Sequence, residues 1–205
     1  DEGGVDQEKI QRIVEDVKSV VKDGHEVIIV SSGAVQTGRQ ILQGGKEIEF
    51  LQACSAVGQP LLMAEYVKNF APYPVAQVLL THDDLGNRKR YLNTRNTLLC
   101  LLKNKIIPIL NENDTVSYEE ITVGDNDQLA AMTGIALSVD LILIFSSPDG
   151  VFDSDPTIGN PKKISKIKYD EKITIDVSGK SISGRGGMKT KVMAAKLANS
   201  SGIPV

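Results

Sequence analysis

Several chemistries are closed to this chain by what it lacks. Its 205 residues include only two cysteines and two histidines. Two cysteines cannot build a disulfide scaffold or a closed thiolate zinc site. Cys54, in "LQACSAVG", and Cys100, in "TLLCLLKN", read instead as buried free thiols of a reducing compartment. His25 falls in a helix-to-strand turn, and His82 follows a strand end, where it lines at most a pocket. No apolar run approaches the roughly 18 residues of a membrane span, because Lys103 and Asn104 interrupt the longest candidate. The opening "DEGGVDQEKI" lacks the basic start and apolar core of a signal peptide. An excess of positive charge is missing as well: Lys and Arg total 23 against 26 Asp and Glu, for a net charge of −3. No broad basic face is left for nucleic acid, and "NRKR" (87–90) reads as a solvated turn or a clamp for one small anion. The expectation is a cytoplasmic protein with neither a membrane nor a nucleic acid as partner.

What is present is regular alternation. Apolar residues Ile10, Ile13, Val14, Val17, Val20 and Val21 mark one helix face, and Gly24 offers a left-handed stop. "VIIV" (27–30) follows as a wholly apolar, β-branched run suited to a strand covered on both faces. The pattern continues with a helix near 51–70, strand "VAQVLL", helix 91–105, strand "IIPIL", helix 126–139, strand "LILIF", helix 188–201 and a final "IPV". Strands alternating with helices imply right-handed crossovers. The expected fold is α/β, a three-layer αβα sandwich with a mainly parallel open sheet. No repeat or composition break divides the chain, so residues 1–205 read as a single domain. The first helix has no strand before it and "IPV" has nothing to cover it, so a first strand and the C-terminal end of the fold are expected outside this sequence.

Ligands of open α/β sheets bind outside the carboxyl ends of the strands, which directs attention to four junctions. After "VIIV" stands "SSGAV", where backbone amides can face an anion or a serine can cap the next helix. After "IIPIL" stands "NENDTV", whose Asn111, Glu112, Asn113 and Asp114 suit a small ligand bearing an ammonium and a carboxylate, or form a turn. "VGDNDQ" (123–128) crowds Asp125, Asn126 and Asp127 at a helix start, where a cap is the plainest role for Asp125. "SGRGGMKTK" (183–191) is a glycine-rich turn entering a helix, with Lys189 and Lys191 able to neutralise phosphate charge. "GKSISGR" upstream has Arg185 where a phosphate loop needs Lys, which excludes a Walker A assignment. Ser32 lacks the first glycine of a nucleophile elbow, and "DSDP" (153–156) is turn sequence rather than a metal site.

Taken together, "VSSGAV", "ACSAVGQPLL", "PILNENDTV", "VGDNDQLAA" and "GRGGMKTK" stand in the order seen in the amino acid kinase superfamily. The chain resembles that superfamily, and the pairing of "NENDTV" with "GDND" is similar to its glutamate-phosphorylating branch. The resemblance implies ATP-dependent phosphorylation of the γ-carboxylate of L-glutamate, the first step towards proline. Ser32, Asp114 and Asn126 would bind glutamate, and Gly33 would turn the backbone towards the reacting groups. Asp127 would hold catalytic lysines in position, and Lys191 would neutralise the transferring phosphoryl group. Ser146, Ser147, Arg185, Gly186, Gly187, Met188, Lys189 and Thr190 would form the nucleotide side, with ATP and Mg²⁺ as cofactors. Ser146-Ser147 stands where the family usually has Thr-Asp, and Arg185 where it usually has Thr. A homodimer or homotetramer, with proline as feedback inhibitor, is implied in the same way. The alternatives are a kinase of aspartate, N-acetylglutamate or carbamate, or a noncatalytic glutamate-binding regulator.

Overall fold

A computed structural model of the chain describes residues 7–117, 125–146, 149–153, 161–168 and 187–205. The chain divides into two compact units, Asp1–Ile121 and Thr122–Val205. The first opens with helix α1 (Gln7–Lys22), which buries Ile10 and Val14. Gly24, at φ 92°, stops it as its sequence position suggests, and the His25 amide reaches back to the Val20 carbonyl at 3.3 Å. Strand β1 (Ile29–Val30), the short α2 (Ala34–Gly38) and the long α3 (Ile48–Phe70) follow. Strand β2 (Val75–Leu80), α4 (His82–Gly86), α5 (Arg88–Lys103) and β3 (Ile107–Glu112) complete the unit.

The three strands form a parallel sheet in the order β1-β3-β2. β2 runs in register with β3 from Val75 opposite Ile107 to Leu80 opposite Glu112. β1 pairs only through Ile29 with Ile109 and Val30 with Leu110, so the four-residue strand expected from "VIIV" is shorter than its apolar run. Proline supplies the reason. The Ser31 amide donates to the Leu110 carbonyl at 2.9 Å, so Leu110, and by the two-residue period Pro108, turn their backbone groups towards β1. Pro108 has no N–H to offer the carbonyl of Val27, and the ladder ends there.

β3 is buried along its whole length, including the polar Asn111 and Glu112 at its carboxyl end. Ile107 and Ile109 join Ile10, Val14, Ala34, Leu62, Met63, Tyr66 and Phe70 in the core. The approach of α2 to α3 depends on two glycines. A Cβ on Gly58 would meet the Ala34 carbonyl oxygen at 1.9 Å, and one on Gly38 would meet the Cys54 carbonyl oxygen at the same distance. Cys54 is buried, but Cys100 is exposed; the expectation of two buried thiols therefore fails at Cys100, which lies on the outer side of α5. "NRKR" is no free turn either. Asn87 caps α5, accepting from the amides of Lys89 at 3.1 Å and Arg90 at 3.2 Å.

The second unit contains α6 (Asp125–Leu137), the antiparallel pair β4 (Val151–Phe152) and β5 (Lys163–Ile164), and α7 (Met188–Ser200). Ala131, Ala194, Ala198 and Ile203 form its core, with Ile135, Val139 and Ile142 against them; small side chains let α6 and α7 approach closely. The run "LILIF" (141–145) is not a strand. Leu141, Leu143 and Phe145 are exposed in alternation, and the Ile142 amide donates to the Pro204 carbonyl at 3.0 Å. An alternating extended backbone becomes a strand only with a laddered neighbour, and the described residues supply one bond, so neither this run nor "IPV" meets that condition. The β4–β5 pair carries no expectation from the sequence, because two-residue strands fall below any readable period. Among the described residues, no helix is long and apolar enough to cross a membrane.

Candidate functional site

In the first unit the carboxyl ends of β1, β2 and β3 lead into residues 31–33, 81–84 and 113–117. The first of these segments turns sharply. Gly33, at φ 115°, is the N-cap residue of α2 and makes no side-chain cap; Ser32 precedes it, exposed. The capping alternative for this serine is thus not what the chain does. Ser31 and Tyr66 share a buried hydroxyl–hydroxyl hydrogen bond of 2.8 Å. Burial pushes the Tyr66 phenol above its ordinary pKa, against the opposing pull of the Ser31 bond.

The segment behind β3 is held more tightly. Asn111, Glu112 and Asp114 are all buried. The Glu112 amide donates to Asn111 Oδ1 at 2.9 Å, so Asn111 Nδ2 is the atom that donates to Gln59 Oε1 at 2.8 Å. That chain of donors leaves Gln59 Nε2 buried without a hydrogen bond among the described residues. Ser55 Oγ donates to Asp114 Oδ2 at 2.6 Å, a short bond of the kind a charged acceptor makes. Gln52 Nε2 donates to the Ser117 carbonyl at 2.9 Å.

Behind β2, Asp84 Oδ2 accepts from the Thr81 amide and the Thr81 hydroxyl, each at 2.8 Å, and Arg90 lies 3.1 Å from Oδ1. Burial alone would raise the Asp84 carboxyl, but the two Thr81 bonds and the Arg90 charge outweigh it and hold the pKa below the usual value. A cavity of about 280 Å³ opens among Thr81, His82, Asp83, Arg90, Glu112, Val116 and Ser117. His82 lines it, as its place after a strand end suggests.

In the second unit the first turns of α6 and α7 meet. Lys191 Nζ lies 3.0 and 3.1 Å from the two Asp127 carboxylate oxygens, and Thr190 Oγ1 donates to Asp127 Oδ2 at 3.0 Å. The side chains of Lys191 and Asp127 keep 21% and 14% of their exposure, so the pair is shielded but reachable. The Gly187 carbonyl lies 2.8 Å from the same Oγ1, so the single hydroxyl hydrogen is shared between that carbonyl and the Asp127 carboxylate at the N-terminus of α7. Gly187 is extended, at φ −72°, and Met188 opens the helix, so amides of the first turn face outward, where an anion is favoured. Lys189 is exposed beside them.

Of the residues singled out from sequence, Asp127, Thr190 and Lys191 are therefore in direct contact, with Gly187 and Met188 on the same turn. Asn126 stands next to Asp127 on α6, and Ser146 is exposed at the end of the run 141–145. Asp114 is bonded to α3. Ser147, Arg185 and Gly186 lie outside the described residues, and of the Asp125 side chain nothing is described. Sequence reading assigns no role to Ser31, Ser55, Gln59 or Tyr66. For the three on α3 a signal is present in the spacing: with Gln52, residues Ser55, Gln59 and Tyr66 are polar positions recurring along one face of the helix.

A family model described as the amino acid kinase family matches residues 3–205. The chain is 42% identical over 208 residues to the glutamate 5-kinase of Dictyoglomus turgidum, covering 99% of the chain and 56% of that relative. It is 42% identical over 210 residues to a glutamate 5-kinase of Thermus thermophilus, with the same coverage of 99% and 56%. With the glutamate 5-kinase of Syntrophotalea carbinolica it shares 43% over 210 residues, 98% of the chain and 56% of the relative. The chain thus spans little more than half the length of the curated relatives it matches.

Proposed function

The chain belongs to the amino acid kinase family, and we propose that its protein transfers the γ-phosphoryl group of ATP to the γ-carboxylate of L-glutamate, giving γ-glutamyl phosphate on the way to proline. The observation that carries this reading is the Asp127–Thr190–Lys191 cluster at the start of α7, together with the likeness to proteins named glutamate 5-kinase along nearly the whole chain.

The chemistry asks for cations and positioning, not for a base. A glutamate side chain, with a reference pKa of about 4.3, is already ionised at neutral pH. One γ-carboxylate oxygen forms the new bond to phosphorus, the bond from phosphorus to the β,γ-bridging oxygen breaks, and ADP leaves with that electron pair. Charge then spreads over the phosphoryl oxygens. Lys191 is the group proposed to meet it, with Asp127 and Thr190 keeping the ammonium from wandering, so that little reorganisation remains for the reaction itself. Outward amides of α7 and Lys189 suit the other phosphate oxygens. Arg185, Gly186, Gly187, Met188, Ser146 and Ser147 complete the proposed nucleotide contacts, and Ser32, Gly33, Asp114 and Asn126 the glutamate contacts.

For Mg²⁺ the donor set is informative. Among the described residues no three His, Cys, Asp or Glu side chains are placed to hold a metal, and both oxygens of Asp127 are already engaged. The chain therefore suits an ion carried on nucleotide phosphates, as Mg²⁺ commonly is, rather than one caged by protein. Bound there, the ion would supply further charge neutralisation. A single kinase domain over 1–205, a homodimer or homotetramer, inhibition by proline and a cytoplasmic location belong to the same proposal.

The test is hydroxamate trapping with Mg²⁺-ATP and L-glutamate, with aspartate and N-acetylglutamate in parallel and Lys191→Ala as control. A signal confined to glutamate and lost in the control is expected. A signal with another substrate alone would move the acceptor assignment, and none at all in the full-length protein would favour a noncatalytic binder.

A further inference from the structure

We infer that α3 is the positioning element for the proposed glutamate-binding segments, with Ser55 as the positioning residue for Asp114; this rests on the reading of Asp114 as a glutamate contact. Four polar side chains along α3 bond the carboxyl end of β3 and the segments behind β1 and β3. Gln52 reaches the Ser117 carbonyl, Ser55 the Asp114 carboxylate, Gln59 the Asn111 amide and Tyr66 the Ser31 hydroxyl. A polar stripe on the buried face of a helix costs stability unless its groups are paired, and pairing fixes the geometry of whatever they bond. Ser55 is 4% exposed and Asp114 8%, so water does not easily replace the hydroxyl if it is removed. The 2.6 Å bond holds Oδ2 in one direction, which selects the rotamer in which this carboxylate meets a ligand ammonium. Because Ser55 is buried and acts through Asp114, its effect is expected in glutamate binding.

The experiment is steady-state kinetics of Ser55→Ala, Asp114→Asn and the double variant in the full-length protein, with thermal unfolding of each. Ser55→Ala is expected to raise KM for glutamate about 10-fold, the loss of one charge-assisted hydrogen bond, while kcat and KM for ATP stay within about twofold. On the Asp114→Asn background the same substitution should add nothing. A raised KM for glutamate in Asp114→Asn with an unchanged one in Ser55→Ala would overturn the positioning role alone. An unchanged KM in Asp114→Asn would remove Asp114 from glutamate binding and the inference with it. Equal losses in glutamate KM, ATP KM and kcat would reduce Ser55 to a structural residue. If Ser55→Ala does not fold, Ser55→Cys, close in volume and a weak donor, takes its place with the same expected split.

Discussion

The two carboxylates given roles in the proposed reaction, Asp114 and Asp127, are held in opposite ways. Asp114 is buried at the end of a central strand and bonded by a neutral hydroxyl. Asp127 sits at a helix start, partly open to solvent, and is bonded by an ammonium and a hydroxyl. The first arrangement spends a buried polar network on one fixed geometry. The second keeps a cation close to neutral balance yet available, since a shielded ion pair can turn towards an incoming anion without leaving a bare charge in the interior. Recognition of a small, shaped substrate suits the first arrangement, and transient stabilisation of charge suits the second.

The comparison breaks most easily at Lys191. Lys191→Ala should lower kcat by about 10² to 10³, equivalent to roughly 3–4 kcal/mol of barrier, with a much smaller change in KM for glutamate; equal effects on both constants would assign Lys191 to binding instead. Next in size, Gly58→Ala should destabilise the first unit by about 1–3 kcal/mol, because its Cβ would overlap the Ala34 carbonyl oxygen and push α2 away from α3. Urea unfolding reads the stability, and a rise in KM for glutamate would show the displacement reaching Ser32 and Gly33.

Asp84→Asn probes a third carboxylate, which caps α4 and is proposed to touch no substrate. Its folded pKa is lowered, so its contribution is present above the unfolded value, near 3.9, and is lost as pH falls through the folded value. The variant should lose about 1 kcal/mol at pH 7, and the gap to the parent should close in acid; a gap independent of pH would assign it to packing. Smallest of all, Cys100→Ser should shift stability by no more than about 0.5 kcal/mol, while a thiol reagent labels Cys100 and leaves the buried Cys54 until the protein unfolds.

Much of this was legible in the sequence, for reasons that differ from element to element. Helix α1 follows its apolar period closely, since period and burial are two descriptions of one face, and α3, α6, α7, β2 and β3 stand within a few residues of the apolar stretches that marked them. "VIIV" misled by two residues because a proline on a neighbouring strand, not its own composition, ended the ladder. "LILIF" misled because an apolar run does not itself supply a partner: three of its five residues are exposed, and one backbone bond, to Pro204, is no ladder. Cys100 sits among leucines, but it occupies a face of α5 that nothing among the described residues covers.

The site divides in the same way. From sequence alone came the α/β class, the family and the short stretches "NENDTV", "GDND" and "GRGGMKTK", because those depend on residue order and local turn chemistry. The partners inside them did not follow. Ser55 and Asp114 are 59 positions apart, and Lys191 and Asp127 are 64 apart. A hydrogen bond is decided within a few tenths of an ångström, by how α3 lies on β3 and how α7 lies on α6. No local pattern carries that distance; tertiary packing sets it, as where Ala194 of α7 meets Ala131 of α6.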